Sequence, residues 1–195
     1  MVIISSNGTS QRQGWWERSI FRDCRYNPAR RKAPGELPAD RPLSIRIMLE
    51  SNTRHLEAST AEDVPPRSWA CIVAAAEAMS AHLFSNGSVA LRVVSDPEIR
   101  ALNKQFRSTD RVTDVLSFPN GAGQGGDIAL SWDTTLRQAV ANGNQPEEEA
   151  CALIAHGLLH LAGYDHDTDE SDARMQAATI DLLRHAQIEV STFGH

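Results

Sequence analysis

The sequence predicts an α+β domain in which one small, mixed four-stranded sheet is flanked by helices. Short strand-like segments alternate with helical ones in the first two thirds of the chain, and only helical patterns follow in the last third. This order of elements is typical of one sheet with helices packed against it. With 195 residues, 41 % of them hydrophobic, the chain is long enough for one compact core.

Four segments have the composition of strands. The first alternates apolar and polar residues (LSIRIML), as a half-buried strand does, and the third is ended by Pro119. A glycine-rich loop at 121–126 precedes the fourth. The predicted strands are 43–49, 88–94, 115–118 and 127–131.

Five segments have helical patterns, and several have recognisable start signals. Pro66 suits a first helical turn, either Ser95 or Asp96 can cap the second helix, and Asn144 can cap the helix that Pro146 opens. The predicted helices are 68–84, 96–106, 132–142, 146–162 and 170–188.

The charge distribution divides the chain. Residues 1–40 hold seven basic and four acidic side chains, a balance of +3, whereas residues 41–195 hold twelve basic and twenty-one acidic ones, a balance of −9. We predict a poorly ordered extension over 1–40, or an upstream start-site artefact, and a single domain over 41–195, with the boundary near Pro42. The acidic domain argues against coating nucleic acid by bulk charge, so any such contact must be local.

Neither a membrane span nor a signal peptide is indicated. No stretch approaches the roughly 20 apolar residues that a span requires, and the apolar start is too short for a secretory signal. We therefore predict a cytoplasmic protein that does not contact membranes. The three cysteines are odd in number and widely spaced, which favours neither a disulfide framework nor a metal knuckle. Cys71 and Cys151 fall in apolar helical patterns and are predicted to be buried, inert thiols.

The segment 146–166 carries the pattern of a metal site. His156 and His160 are four residues apart, so both imidazoles lie on one face of the helix, one turn from each other. Gly163 allows the chain to reverse, and His166 can then return as a third ligand. Three imidazoles leave one tetrahedral position open, which is typical of a catalytic zinc site, although another transition metal could fill it.

Other interpretations of this segment remain open. A lone histidine in an apolar helix is usually a packed core residue, and Asp165 is either a carboxylate that orients an imidazole or an ordinary loop residue. The spacing also matches the zinc helix of metzincin proteases. Those enzymes carry a glutamate base directly after the first histidine, where this chain has Gly157. Peptide hydrolysis by that mechanism is therefore disfavoured.

Three motifs together resemble those of the YbeY family of bacterial endoribonucleases. They are LNKQFR…TDVLSFP over Leu102–Pro119, the tripeptide Gly126-Asp127-Ile128, and HGLLHLAGYDH over His156–His166. The likeness covers about residues 43–188. It implies a zinc-dependent enzyme that acts on single-stranded RNA, matures ribosomal RNA, notably the 3′ end of the small-subunit RNA, and serves ribosome quality control.

The resemblance also assigns residues. It implies His156, His160 and His166 as ligands of one zinc ion, and Arg107, with His156, as the residues that carry catalysis. A guanidinium can grip a phosphate through paired hydrogen bonds. Without the family, Arg107 would be interpreted as a solvated residue at a helix end. Asp114 and Ser117 either shape the cleft or provide turn chemistry.

The sequence therefore predicts a zinc endoribonuclease on a small sheet. Its partners would be small-subunit ribosomal RNA and, given the acidic domain, basic ribosomal proteins or a ribosome-associated GTPase. The attacking group is left open between metal-bound hydroxide and the ribose 2′-hydroxyl. Two rivals remain: a non-catalytic ribosome assembly factor with a structural zinc, and a metallopeptidase-like hydrolase.

Overall fold

The computed structural model describes residues 55–165 and 168–191. Several predictions concern residues outside these ranges: the extension 1–40, the boundary near Pro42, the strand 43–49 and the ligand His166. The described elements, in chain order, are β1 (Leu56–Thr60), α1 (Pro66–Leu83), β2 (Ser88–Val94), α2 (Asp96–Arg107), β3 (Val115–Pro119), β4 (Gly125–Ser131), α3 (Trp132–Asn142), α4 (Pro146–Leu161) and α5 (Asp169–His185).

The sheet is mixed and four-stranded, in the order β1-β2-β4-β3. β1 pairs with β2 and β2 with β4 in parallel, whereas β3 pairs antiparallel to β4. The α+β prediction with one mixed four-stranded sheet is therefore confirmed. β1 and β3 form the two edges of the sheet, so one side of each strand has no strand partner within the described residues.

One described strand was not predicted, and another begins earlier than predicted. β1 has the polar sequence LEAST and buries only Leu56, so its composition gives no strand signal; its pairing with β2 defines it. β4 begins at Gly125, which the sequence placed in a loop. A Cβ at Gly125 would lie 2.3 Å from the carbonyl oxygen of Ser88, so the pairing of β4 with β2 requires glycine there.

All five predicted helices are present, with ends that differ by up to three residues. Ser95 caps α2, because its Oγ accepts a hydrogen bond from the Glu98 amide at 3.4 Å. The prediction that Asn144 caps α4 is wrong, since Gln145 is the N-cap residue. The Asn144 amide instead donates to Glu149 Oε2 at 2.7 Å and thereby pairs a carboxylate that is only 3 % exposed.

Helix α4 lies at the centre of the core, with twelve of its sixteen residues buried. A helix that is apolar around most of its circumference is covered by other elements on most of its sides. Side chains alternate along β3, so Ser117 and Phe118 point to opposite faces of the sheet. Ser117 contacts α4 and Phe118 contacts α2, so these two helices cover opposite faces at β3. In the described part of the chain, no helix is both long and apolar enough to cross a membrane.

Candidate functional site

The end of α4 has the reversal that the sequence predicts. Gly163 adopts a φ of +92°, a left-handed conformation that glycine adopts without a steric penalty. Its amide donates to the His160 carbonyl and the Tyr164 amide donates to the Leu159 carbonyl, both at 3.0 Å. The chain therefore turns sharply directly after the second histidine.

The two histidines of α4 converge. The Nε2 atoms of His156 and His160 are 3.1 Å apart, and the ring centroids are 4.6 Å apart with the planes at 84°. His160 is 2 % exposed and His156 is half-buried, so the pair lies partly within the protein. The predicted placement of both imidazoles on one face of the helix is confirmed.

A backbone carbonyl determines which nitrogen of His160 carries the proton. Nδ1 of His160 lies 3.0 Å from the carbonyl oxygen of Tyr164, and a carbonyl can only accept a hydrogen bond. Nδ1 therefore carries the proton and Nε2 keeps a lone pair directed toward His156. This is the arrangement found for histidine ligands, in which the second ring nitrogen donates to a carbonyl. The turn at Gly163 supplies the carbonyl, so it also orients the histidine.

The third predicted ligand, His166, is outside the described residues. Within residues 55–165 and 168–191, no group of three or more histidine, cysteine, aspartate or glutamate side chains is placed to hold a metal ion. The described part of the chain thus supplies two imidazoles. The assignment of His166 stays a prediction.

Ser117 contacts the histidine helix directly. Its Oγ donates to the carbonyl oxygen of Gly157, the residue that follows His156, at 3.0 Å, and Ser117 is 2 % exposed. The helix approaches β3 this closely because residue 157 has no side chain. A Cβ there would lie 3.0 Å from Ser117 Oγ and 3.2 Å from Val115 Cγ2. Position 157 therefore faces the sheet, which is the physical reason for the glycine.

Arg107 reaches the other side of Ser117. It is the last residue of α2, and its Nη2 donates to the carbonyl oxygen of Ser117 at 2.9 Å. Because β3 is an edge strand, this carbonyl is available to a side chain. The guanidinium carbon lies 5.9 Å from the centroid of the Phe118 ring. Arg107 and α4 thus contact the same residue, Ser117, from two sides.

The Arg107 side chain is half-buried and is not the solvated helix-end residue that its sequence alone suggests. Its Nε and Nη1 atoms are buried and have no hydrogen-bond partner among the described residues. Burial lowers the pKa of Arg107, but a guanidinium stays charged at physiological pH. A cation with two buried, unused donors is uncommon and requires an explanation. An anion that enters beside Phe118 would satisfy these donors.

Asp114 has the turn chemistry that was one of its two interpretations. Its Oδ1 accepts hydrogen bonds from the Val115 amide at 2.7 Å and from Thr113 Oγ1 at 3.1 Å. Gln138 of α3 donates to its other oxygen at 3.2 Å. These bonds hold the start of β3 against α3.

Sequence reasoning gave Asp127 no role of its own. It lies opposite Phe118 in the β3–β4 pairing, and burial raises the pKa of its carboxyl group to about 6. No donor or cation among the described residues offsets that burial. The sequence signal, an aspartate within a strand after two glycines, is too common to reveal this environment.

Asp127→Asn is expected to stabilise the protein at neutral pH. Because the folded pKa is about 6 and an unfolded aspartate titrates near 3.9, Asp127 destabilises the fold progressively as the pH rises from about 4 to 6, and this loss of stability is complete above pH 6. The variant should gain about 2 kcal/mol at pH 8, a gain that shrinks below pH 6 and vanishes below about pH 4. Urea unfolding at these pH values measures it, with the exposed Asp181→Asn as control. An equal gain at every pH would contradict the prediction.

The fold and the site together define a class: single-sheet α+β proteins in which a buried, histidine-bearing helix packs against an antiparallel edge strand. Comparison with known families identifies the particular one, because residues 50–187 match the sequence model described as endoribonuclease YbeY. The chain belongs to this family.

Two curated relatives agree with this assignment, and one solved structure is also similar to part of the chain. An endoribonuclease YbeY of Rhodopseudomonas palustris is 34 % identical over 175 residues, which cover 83 % of this chain and 87 % of that protein. One from Aquifex aeolicus is 46 % identical over 95 residues, 46 % of this chain and 63 % of that protein, slightly less than two thirds of its length. A solution structure of the Thermotoga maritima protein TM1509 is 26 % identical and covers 71 % of this chain and 96 % of that one, with a TM-score of 0.49.

Proposed function

We propose that this chain is a zinc-dependent endoribonuclease, specific for single-stranded RNA, that acts in maturation of the 3′ end of small-subunit ribosomal RNA and in ribosome quality control. The observation that carries the proposal is the position of Ser117, which contacts both the histidine helix and Arg107. The relatives named endoribonuclease YbeY support the same reaction class. In this proposal residues 41–195 form one catalytic domain, and the protein works in the cytoplasm.

The two described histidines fit zinc. Two nitrogen ligands at about 2.05 Å from zinc, separated by a tetrahedral angle, lie about 3.3 Å apart. The observed separation of the His156 and His160 Nε2 atoms, 3.1 Å, is close to this value. The hydrogen bond of His160 Nδ1 to Tyr164 leaves Nε2 as the coordinating atom. We assign His166 as the third ligand on the basis of the family motif.

In this mechanism Arg107 binds the phosphate. Its unused Nε and Nη1 donors suit two phosphate oxygens, and Nη2 remains held by the Ser117 carbonyl. The positive charge is local, as an acidic domain that binds RNA requires. Zinc, when bound, would supply a Lewis acid and a means to activate water. Arg107 would hold the scissile phosphate of the RNA and neutralise the negative charge on its oxygens.

The experiment is cleavage of a labelled single-stranded RNA by wild type, Arg107→Ala and Arg107→Lys, each with the same measured zinc content. We expect alanine to slow cleavage by about 10²–10³-fold, because removing one electrostatic donor to a transition state has this effect. Lysine, which keeps the charge but not the paired donors, should lie between the two. A double-stranded RNA of the same sequence is the substrate control.

Each outcome of this experiment has a defined meaning. Equal cleavage by wild type and Arg107→Ala would show that Arg107 does not contribute to RNA cleavage. A 2′,3′-cyclic phosphate product would exclude direct attack by water as the only step. If zinc-loaded wild type does not cut, the assembly-factor alternative is correct.

The assembly-factor alternative has one observation in its favour. His160 is 2 % exposed and lies on the most buried helix, so a metal there would also hold the core together. Under that alternative, chelation unfolds the protein and Arg107→Ala changes RNA binding alone. Ribosomal proteins or a ribosome-associated GTPase are proposed partners in either case, since an acidic domain suits a basic surface.

A further inference from the structure

Helix α2 carries a row of basic side chains that leads to Arg107. Arg100, Lys104 and Arg107 are separated by four and then three residues, so they lie within about 60° of one another around the helix and about one turn apart along it. The Arg100 and Lys104 side chains are 55 % and 66 % exposed, whereas Arg107 is half-buried. The row therefore begins in solvent and ends at the guanidinium that contacts β3.

The loop after α2 adds a fourth basic residue. Ser108 has a left-handed φ of +56°, and the chain then turns back, so that the Thr109 amide donates to the Asn103 carbonyl oxygen at 3.3 Å. Asn103 is 5 % exposed, and its Nδ2 donates to the Arg111 carbonyl oxygen at 2.9 Å. Arg111, which is exposed, is thereby held beside α2. Arg100, Lys104 and Arg111 are called the basic tract below.

The basic tract concentrates positive charge in an acidic domain. Of the nine lysine and arginine residues that the structure describes, four lie within residues 100–111. That segment contains one acidic residue, Asp110, so four positive charges and one negative charge give a balance of +3. The whole of residues 41–195 has a balance of −9. A polyanion is therefore attracted locally to this segment, which is continuous with the Arg107 donors.

Asp110 shows that two cations of the tract reach a single anion. Its Oδ1 accepts a hydrogen bond from Arg100 Nε at 2.7 Å, and its Oδ2 accepts one from Lys104 Nζ at 2.8 Å. The bond from Lys104, and then that from Arg100, lowers the pKa of Asp110. All three side chains are at least 46 % exposed, and exposed ion pairs are weak because water screens them. Two oxygens of a phosphate group can therefore take the place of the carboxylate.

We propose that the basic tract binds the backbone of single-stranded RNA on either side of the phosphate that Arg107 holds. Arg100 and Lys104 bind one phosphate in place of Asp110, and Arg111 binds another. This inference rests on the proposed function, because it places the rest of the substrate relative to Arg107. Phosphate contacts position a nucleic acid without reading its sequence, so the tract should determine affinity for RNA and not the rate of the chemical step.

The test is a binding measurement by fluorescence anisotropy over a range of salt concentrations. The probe is a fluorescein-labelled oligouridylate with 2′-O-methyl riboses, and full-length wild type is compared with Arg100→Gln/Lys104→Gln. We expect the double variant to bind about tenfold more weakly at low salt. Its plot of log affinity against log salt should be shallower by about 1.4, because each phosphate contact to a single strand contributes about 0.7. Asp110→Asn should bind more tightly than wild type, because it removes the competing carboxylate.

Arg67→Gln/Arg184→Gln is the matched control. It removes the same two charges from exposed positions on α1 and α5, helices that pack against α4. This control should bind the probe as wild type does. Equal weakening by both double variants would show that net charge alone matters, and would overturn the proposal. Wild-type affinity in Arg100→Gln/Lys104→Gln, weaker binding by Asp110→Asn, or a wild-type protein that does not bind the probe would also overturn it.

Cleavage of unmodified single-stranded RNA separates this inference from the proposed function. Arg100→Gln/Lys104→Gln should raise KM about tenfold and keep kcat, whereas Arg107→Ala slows the reaction itself. A lower kcat with an unchanged KM would contradict a role in binding alone. The anisotropy result does not depend on cleavage. A wild-type protein that binds the probe through the tract but does not cut RNA would therefore overturn the proposed function and leave the binding surface in place.

Discussion

Replacing His160 is expected to remove both the metal and the activity. The prediction concerns His160→Gln, which keeps a polar side chain of similar length in a position that is 2 % exposed. Without the imidazole Nε2 the proposed zinc site loses one of the two described histidines assigned to it, so bound zinc should fall from about one ion per chain to none. RNA cleavage should fall by more than about 100-fold, since changes outside the first coordination shell already cost 10–100-fold.

Metal analysis, cleavage of single-stranded RNA and thermal unfolding, all on one preparation, measure these effects. His82→Ala is the matched control, because His82 is exposed on α1 and stacks on His185 rather than on the α4 histidines. It should keep full zinc content and activity. A folded His160→Gln variant that retains one zinc ion and cuts RNA would show that His160 does not bind the metal.

Gly157→Glu is expected to destabilise the fold by about 3–5 kcal/mol or more. A Cβ at this position already lies 3.0 Å from Ser117 Oγ, 3.2 Å from Val115 Cγ2 and 3.4 Å from Ile128 Cδ1, so a longer side chain has no room between α4 and the sheet. The carboxylate would also be buried without a partner. This loss is a large fraction of the 5–15 kcal/mol that stabilises a typical domain.

Urea unfolding compares Gly157→Glu with wild type and with Gly157→Ala. Alanine makes the same close contacts with its Cβ alone but gains about 1 kcal/mol of helix propensity, so it should stay within about 1 kcal/mol of wild type. A glutamate variant that unfolds at the wild-type urea concentration would show that position 157 does not face the sheet. The expected result also explains why the metzincin base has no place here: a Cβ at residue 157 would already press against β3 and β4, so no room is left for a glutamate side chain.

The histidine helix could be predicted because its signals are local. Pro146 at the start, two histidines four residues apart and Gly163 at the end lie within one short segment, and helical periodicity alone places both imidazoles on one face. The Ser95 cap of α2 belongs to the same class of signal. The N-cap residue is harder to predict where a candidate side chain has a second possible partner. Asn144 was predicted incorrectly for this reason, because its side chain donates a hydrogen bond to the buried Glu149 instead of capping the helix.

Parts of the sheet could not be predicted from local sequence patterns. β2 and β3 have strongly apolar sequences and were predicted within one residue, whereas β1, with the sequence LEAST, becomes a strand only through its pairing with β2. Gly125 was assigned to a loop for the same reason: its strand conformation follows from the approach of Ser88, a residue far away in the sequence. Pairing energy depends on the partner strand, so it leaves no pattern in the segment itself.

The sequence by itself determined the family motifs, the spacing of His156 and His160 and the α+β class, because periodicity and end signals act within a few residues. Only the tertiary structure decided that Ser117 contacts both Arg107 and α4. These contacts join residues from different elements, and their chemistry depends on burial. Burial is a property of the packed core, which forms only when all the elements come together.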